Sequence, residues 1–432
     1  MYIQKKIKHS EVIILSTMIF LLTFLSVFVK NVQLNNYYTF IALIPFMALS
    51  CYYIYIDWKN IKRNKILCSW ILFLILAFLS ELQNGMILEV PILLAYTGII
   101  SFFNFDFERL SKSFIIGVMP LFIVALIAVA LGNKFSSNTI GIIISFLFVS
   151  NEVYFLSTIG SKTSIMNRRS IVFIIFELLV FYVLIRINSR TALMISGVSI
   201  ALLVFHVIFK NKKYLVNNFN NSNRYIKILY SVVLLMICII FGLFIVKVTS
   251  SILTPKWRPN DISTGRFDIW RTTISNRKLF GHRYDWYAES GLFGPHKGPH
   301  NMIIGVLGFA GIVPLISIII VIGGCIYKLV SNYLKQPTNI NAILLIMFIT
   351  SNLKGLTESL IFQTSYQLYN IFFIIPLVFI DSKNKYEENS SVDRKIITLL
   401  VSFFVLIMLI NIYGSVLNYS IDNVLYIIKR YI

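Results

Sequence analysis

The stretch Ser170 to Ile187, SIVFIIFELLVFYVLIRI, decides what kind of chain this is. It carries only Glu177 and Arg186 as charges, and a helix of this length rises roughly 27 Å, nearly the ~30 Å of hydrocarbon in a bilayer. A backbone in lipid must satisfy its own polar groups, so a helix is the expected form. Working outward, similar apolar runs occupy 11–29, 37–56, 66–82, 88–103, 114–131, 139–158, 191–209, 228–247, 301–327, 339–353, 361–380 and 396–415. The predicted fold is all-α: a polytopic membrane protein of 12–13 transmembrane helices with one large polar loop. The chain divides into an N-terminal bundle at 1–247, the loop at 248–300, and further membrane helices at 301–432.

Composition agrees, with 57% apolar and 13% charged residues among 432, where soluble domains run about 45–50% apolar. A net charge of +21 would suggest nucleic acid in a soluble protein, but its placement gives it another cause. With a cytoplasmic N-terminus, Lys59, Lys62, Arg63 and Lys65, then Arg109 and Lys112, then Lys162, Arg168 and Arg169 all fall on the cytoplasmic side. So do Lys210 to Lys227, Lys328 with Lys335, and Lys383 to Lys395, whereas Lys30, Lys134 and Lys354 stand singly on the other side. This is the positive-inside pattern. Lipids are therefore the expected surroundings, and no nucleic-acid partner is expected.

The N-terminus, with Lys5, Lys6 and Lys8 before a long apolar run lacking a small-residue cleavage site, reads as a retained first span. Cys51, Cys68, Cys238 and Cys325 lie in or beside apolar segments without metal-type spacing and read as small buried hydrophobes.

One short outward connection breaks the charge rule. Arg186-Ile187-Asn188-Ser189-Arg190-Thr191 places two arginines between adjoining spans, where an uncompensated charge is costly. Either they snorkel to headgroups, or an anionic ligand meets them. The loop from Val248 to Asn301 is also basic: Lys256, Arg258, Arg266, Arg271, Arg277, Lys278, Arg283 and Lys297 stand against Asp261, Asp268, Asp285 and Glu289. From Thr264 to Leu279 its pattern predicts a helix with Phe267, Ile269, Trp270 and Ile274 on one apolar side, lying flat on the outer leaflet.

On the outward face there is no nucleotide supply, so any reaction there must use a substrate that arrives activated. A lipid-linked sugar diphosphate is such a substrate, and Arg190 and Arg266, with Arg186, Arg271 or Arg283, suit its phosphates because guanidinium binds them bidentately and stays charged. His300, inside Gly298-Pro299-His300-Asn301 at the return to the membrane, is the expected base for an acceptor hydroxyl. The competing reading makes it a helix cap or a solvent residue. His282 and His296 read as loop surface, and His9 and His206 as cytoplasmic. The outward acids form no Asp-x-Asp pair and the histidines no helical His-x-x-x-His pair, so neither metal nor cofactor is expected. Glu177 and Glu152 lie inside spans, either functional, paired to an arginine, or simply protonated. Glu358, near Lys354, could orient His300, pair with Arg190, or pair locally.

Ser189-Arg190-Thr191-Ala192-Leu193, Thr264-Gly265-Arg266-Phe267-Asp268-Ile269-Trp270, Leu279-Phe280-Gly281, Pro299-His300-Asn301 and Leu307-Gly308-Phe309-Ala310-Gly311 occur in this order over roughly residues 185–330. Together they resemble the O-antigen polymerase and O-antigen ligase superfamily. The resemblance implies a GT-C-like fold and a metal-independent, inverting glycosyltransferase in the bacterial cytoplasmic membrane with an extracytoplasmic site. By it, Arg190 and Arg266 grip the diphosphate of an undecaprenyl-diphosphate-linked oligosaccharide and His300 assists the acceptor hydroxyl. Asn301 and Glu358, beside this set in the sequence, are expected among the substrate contacts. The expected activity is polymerisation of a capsule, exopolysaccharide or O-antigen repeat, with a flippase and chain-length regulators as partners. Two alternatives stay open, a ligase of the same superfamily and a lipid-linked oligosaccharide flippase. Two features depart from the family, the count of thirteen spans against the usual twelve, and His282-Arg283 in place of the usual glycine spacing.

Overall fold

The computed structural model describes residues 15–22, 32–56, 58–84, 89–102, 107–132, 138–158, 168–211, 266–283, 286, 299–357, 367–380, 400 and 403–409. In chain order its helices are α1 (Val32–Ile56), α2 (Trp58–Ile61), α3 (Lys65–Gln83), α4 (Glu89–Phe102), α5 (Phe107–Ala130), α6 (Asn138–Thr158) and α7 (Arg168–Ile187). There follow α8 (Arg190–Lys210), α9 (Arg266–Ser275), α10 (Met302–Phe309), α11 (Ile312–Lys335), α12 (Asn339–Thr357) and α13 (Gln367–Phe379). No strand occurs among the described residues. Seven of the helices, α3, α5, α6, α7, α8, α11 and α12, are long and apolar enough to cross a membrane. The chain is a multi-pass α-helical membrane protein.

The outer helices bury one side and expose the other, whereas α6 and α13 are buried nearly all round. On α7, Ile171, Ile174, Ile175, Leu178, Tyr182 and Ile185 are exposed at helical spacing while Glu177, Val180, Val183, Leu184 and Ile187 are buried. α11 divides the same way, with Ile316, Ile319, Ile320 and Tyr327 outside and Ile318, Val321, Cys325 and Leu329 inside. At the centre, Trp70 is fully buried and donates its indole N–H to Thr97 Oγ1 at 2.9 Å, which removes the polar cost of placing it there. Phe114, Phe146 and Phe372 close the core from α5, α6 and α13, with ring centroids 4.2 Å apart for Phe146 and Phe372.

Polar side chains stitch the helix ends into two levels. At one end Asn64 donates to Leu377 O (3.1 Å), Asn339 to Leu156 O (2.7 Å), and His206 meets Tyr333 (3.0 Å) and Asn339 (3.1 Å). This end also holds Lys62, Arg63, Lys65, Lys210 and Lys335, at the ends of α2, α3, α8 and α11. The opposite end gathers the close of α3, α7 and α12 and the start of α6, α8 and α10.

Several expectations need correction. The run 301–327 is not one span: it breaks at Ala310-Gly311 into the short α10 and the long α11, because Gly311 takes φ 96° where another chain segment docks. α12 runs past 353 to Thr357, so Lys354 is not a loop residue but a fully buried one. The helix over Thr264–Leu279 is shorter: α9 ends at Ser275, where Asn276 turns its side chain back to Thr272 O (3.0 Å). Its buried residues are Ile269 and Thr273, while Phe267 and Ile274 are exposed. Cys325 is buried as read, but Cys51 is exposed. The predicted span 228–247 lies outside the described residues, as do Cys238, His9, His296 and Glu358.

Candidate functional site

Two pieces of backbone join at the second end of the bundle. Residues 278–282 lie against the α10–α11 corner, with His282 N–H donating to Gly308 O (2.8 Å), Ile312 N–H to Lys278 O (3.0 Å) and Val313 N–H to Leu279 O (3.3 Å). The approach is possible because both strands of the contact carry glycine in the left-handed region, Gly281 at φ 70° and Gly311 at φ 96°. Ser80 and Asn84, at the end of α3, both donate to Phe280 O, at 2.6 and 2.7 Å. His282 is buried, stacks on Trp286 with ring centroids 4.0 Å apart, and binds Asn276 O through Nε2 at 2.6 Å. It is therefore a structural residue of this clasp and not loop surface, because docking on α10 covers it.

The clasp fixes what precedes and follows it. α9 packs on α10, and Trp270 donates its indole N–H to Pro299 O at 2.8 Å. Arg266, one turn earlier, donates from Nη1 to Thr357 O at 2.7 Å, closing a carbonyl at the C-terminus of α12. Asn301 accepts from Ile304 N–H (3.1 Å) as the N-cap of α10 and donates to Leu356 O (3.0 Å). Between Pro299 and Asn301, His300 is held at φ 46°, a conformation that non-glycine residues adopt rarely and that clusters at functional sites. Its side chain is half-buried.

Arg190 comes from a different part of the chain. α7 ends in Asn188 at φ 57°, whose N–H returns to Leu184 O (3.1 Å) and Ile185 O (3.1 Å). Asparagine tolerates this left-handed position, so the helix can stop and reverse within two residues. Ser189 then caps α8 by position, and Gly141 of α6 lies so close that a Cβ there would sit 2.4 Å from that of Ser189. Arg190 is the first residue of α8, half-buried, and close enough to Arg266 for that charge to act on it.

Arg190, Arg266, His300 and Asn301 are thus brought to one end of the bundle by the N-termini of three helices, α8, α9 and α10. Arg186, Arg271 and Arg283 are exposed around it. Within 266–283, Arg266, Arg271, Arg277, Lys278 and Arg283 stand against Asp268 alone, so the surface favours an anion. Among the described residues, no group of three His, Cys, Asp or Glu could hold a metal ion. Sequence reasoning missed Lys354, a fully buried lysine one turn below Leu356 and Thr357, the carbonyls that Asn301 and Arg266 occupy. A lysine that stays inside an apolar helix pattern was the available signal.

Two outcomes follow locally. Asn301→Ala removes both a cap and a tertiary bond and is expected to cost about 2 kcal/mol. Asn301→Asp keeps the acceptor for Ile304 but cannot donate to Leu356 O, so its thermal midpoint should fall between the two. For His282, burial holds the imidazole below its ordinary 6.5, the Lys278 charge adds to this, and the bond to Asn276 opposes it. The unfolded chain then binds the proton more readily, so this contribution to stability is complete above 6.5 and is lost as pH falls through the folded value. Melting curves should show the wild type losing stability on acidification relative to His282→Gln; a constant difference would refute it.

No family profile, curated protein or solved structure matches this chain.

Proposed function

We propose that the protein is a polysaccharide polymerase of the O-antigen polymerase and ligase superfamily, a GT-C-like glycosyltransferase acting at the outward face of a bacterial cytoplasmic membrane. The observation that carries the reading is that Arg190, from the α7–α8 turn, lies near enough to Arg266 to feel its charge, at the end of the bundle that also holds the left-handed His300. Two guanidiniums held together repel unless an anion lies between them, and a diphosphate offers oxygens to both.

The donor is a glycan on undecaprenyl diphosphate and the acceptor a sugar hydroxyl of the next lipid-linked repeat. The acceptor oxygen attacks the anomeric carbon, the bond from that carbon to the diphosphate oxygen breaks, and the electron pair leaves on the diphosphate. Arg190 and Arg266 stabilise the charge that develops there. His300 takes the hydroxyl proton, and the single displacement inverts the anomeric centre. Arg186, Arg271 and Arg283 attract the anionic headgroup, and Asn301 fixes the backbone on which His300 sits. A flippase supplying repeats and a chain-length regulator are the natural partners.

The test is reconstitution of the purified protein in liposomes with a polyprenyl-diphosphate-linked repeat and a chelator. Lengthened glycan still attached to lipid diphosphate is the expected product. Transfer to a different acceptor without lengthening, or translocation of the lipid without any transfer, would overturn the assignment.

A further inference from the structure

Inside the bundle, away from the arginines, two carboxyl groups lie close enough to interact among α6, α7 and α8. Glu152 is fully buried and Glu177 only 6% exposed. Glu177 lies about 14 Å from either end of α7 at 1.5 Å per residue, which is the depth of hydrocarbon. Asn151 donates to Glu177 Oε1 at 2.6 Å, and the charge of Glu152 acts on Glu177. From α8, Ser199 lies alongside Glu152 and donates to Ser196 O at 3.0 Å. Both oxygens of Glu152, Oε2 of Glu177 and Oγ of the fully buried Ser196 have no hydrogen-bond partner among the described residues.

Leaving two carboxylates ionised here costs several kcal/mol each even after relaxation, comparable with the whole ~5–15 kcal/mol that holds a protein folded. A positive ion must therefore reside with them. Among the described residues, the charged groups of these and the neighbouring helices are not placed to do this: Arg168, Arg169 and Arg186 stand at the two ends of α7, Glu108, Arg109 and Lys112 in the first turns of α5, Arg190 and Lys210 at the two ends of α8, and Lys354 in the last turn of α12. From α13 the only titratable group that senses Glu152 is Tyr369, whose hydroxyl is engaged with Ser145 at 2.8 Å. Among the described residues, what remains is a set of hard oxygen groups without a cationic side chain: two carboxyls, the Ser199 hydroxyl and that of Ser196 one turn away on α8.

We propose that Glu152 and Glu177, with Ser196 and Ser199, form an intramembrane site for a small monovalent cation, a proton or a sodium ion. The site joins α7 to α6 and α8 at Glu177, the acidic residue on the buried side of α7. The inference rests on the bundle interior alone and stands whatever the arginines bind.

A hydrophobic carbodiimide tests it, because the reagent adds to protonated carboxyl groups within lipid and spares ionised or sodium-bound ones. The full-length protein in liposomes is labelled and the peptides carrying Glu152 and Glu177 are read by mass spectrometry. Labelling of either residue in acidic choline chloride is expected, falling several-fold in alkaline buffer. A fall on replacing choline by sodium at constant pH identifies sodium; a response to pH alone identifies the proton. Glu152→Gln should remove its own label and change the pH dependence at Glu177, and the wild-type measurement decides the matter should that variant fail to fold. No label at either residue, or equal label at every pH and salt, overturns the proposal. Since no glycan enters the assay, its outcome is separate from that of the polymerase test.

Discussion

Replacing Gly311 with alanine should leave little folded protein in the membrane. A Cβ there would lie 2.3 Å from Leu279 O and 2.4 Å from Gly281 N, and both are backbone atoms that cannot swing aside. The residue also sits at φ 96°, where an L side chain is strained even in open space. Steric overlap and strain together are expected to cost on the order of 4 kcal/mol, among the largest effects of a single substitution. Gly281→Ala should behave alike, since its Cβ would meet Phe309 O at 2.2 Å. Gly323→Ala is the control: nothing lies within 4 Å and the position is helical, so stability should hold or rise by up to about 1 kcal/mol. Thermal unfolding in detergent reads all three. A Gly311→Ala protein that melts with the wild type would show that the backbone contact is not what holds the corner.

The second large effect concerns turnover. Removing either guanidinium, by Arg190→Ala or Arg266→Ala, should slow glycan lengthening roughly 10²–10³-fold, the scale found when one donor to a developing charge is lost. Lysine at either position keeps a point charge but loses the planar fork, so a partial rate is expected. His300→Gln keeps a polar side chain without a usable base and should lose roughly 10²–10⁴-fold. Combining Arg190→Ala with His300→Gln should cost less than the two losses multiplied, because groups that act as a unit are not additive. Initial rates at saturating donor settle each case. Arg266 has a further duty at Thr357 O, so its variants need a parallel melting curve, whereas Arg190→Ala does not remove that bond. An Arg190→Ala enzyme at full rate would defeat the diphosphate reading.

How much of this could be read from the chain depends on the range of the forces involved. Runs such as Ser170–Ile187 announce themselves because length and polarity are local, and most described helices follow them closely, although α5 begins at Phe107, seven residues before the run at 114–131. The reversal at Asn188 was legible for the same reason. The break inside 301–327 was not, since Gly311 is forced into its conformation by Leu279 and Gly281, thirty residues upstream. His282 misled likewise: a histidine next to Arg283 looks solvated until Trp286 and α10 cover it. For Arg190 and Arg266 the positive charge was readable from residue type, but their proximity arises only from tertiary packing.

The joint between residues 278–282 and the α10–α11 corner is made almost wholly of peptide groups. Main-chain atoms are common to every amino acid, so mutation can exchange most neighbouring side chains without touching those contacts, provided the two glycines persist. Lineages sharing this architecture could then diverge until little remained in common except a pair of small residues at a fixed interval. Searching for that interval between apolar runs, instead of for overall similarity, is how distant kin of this chain would be found.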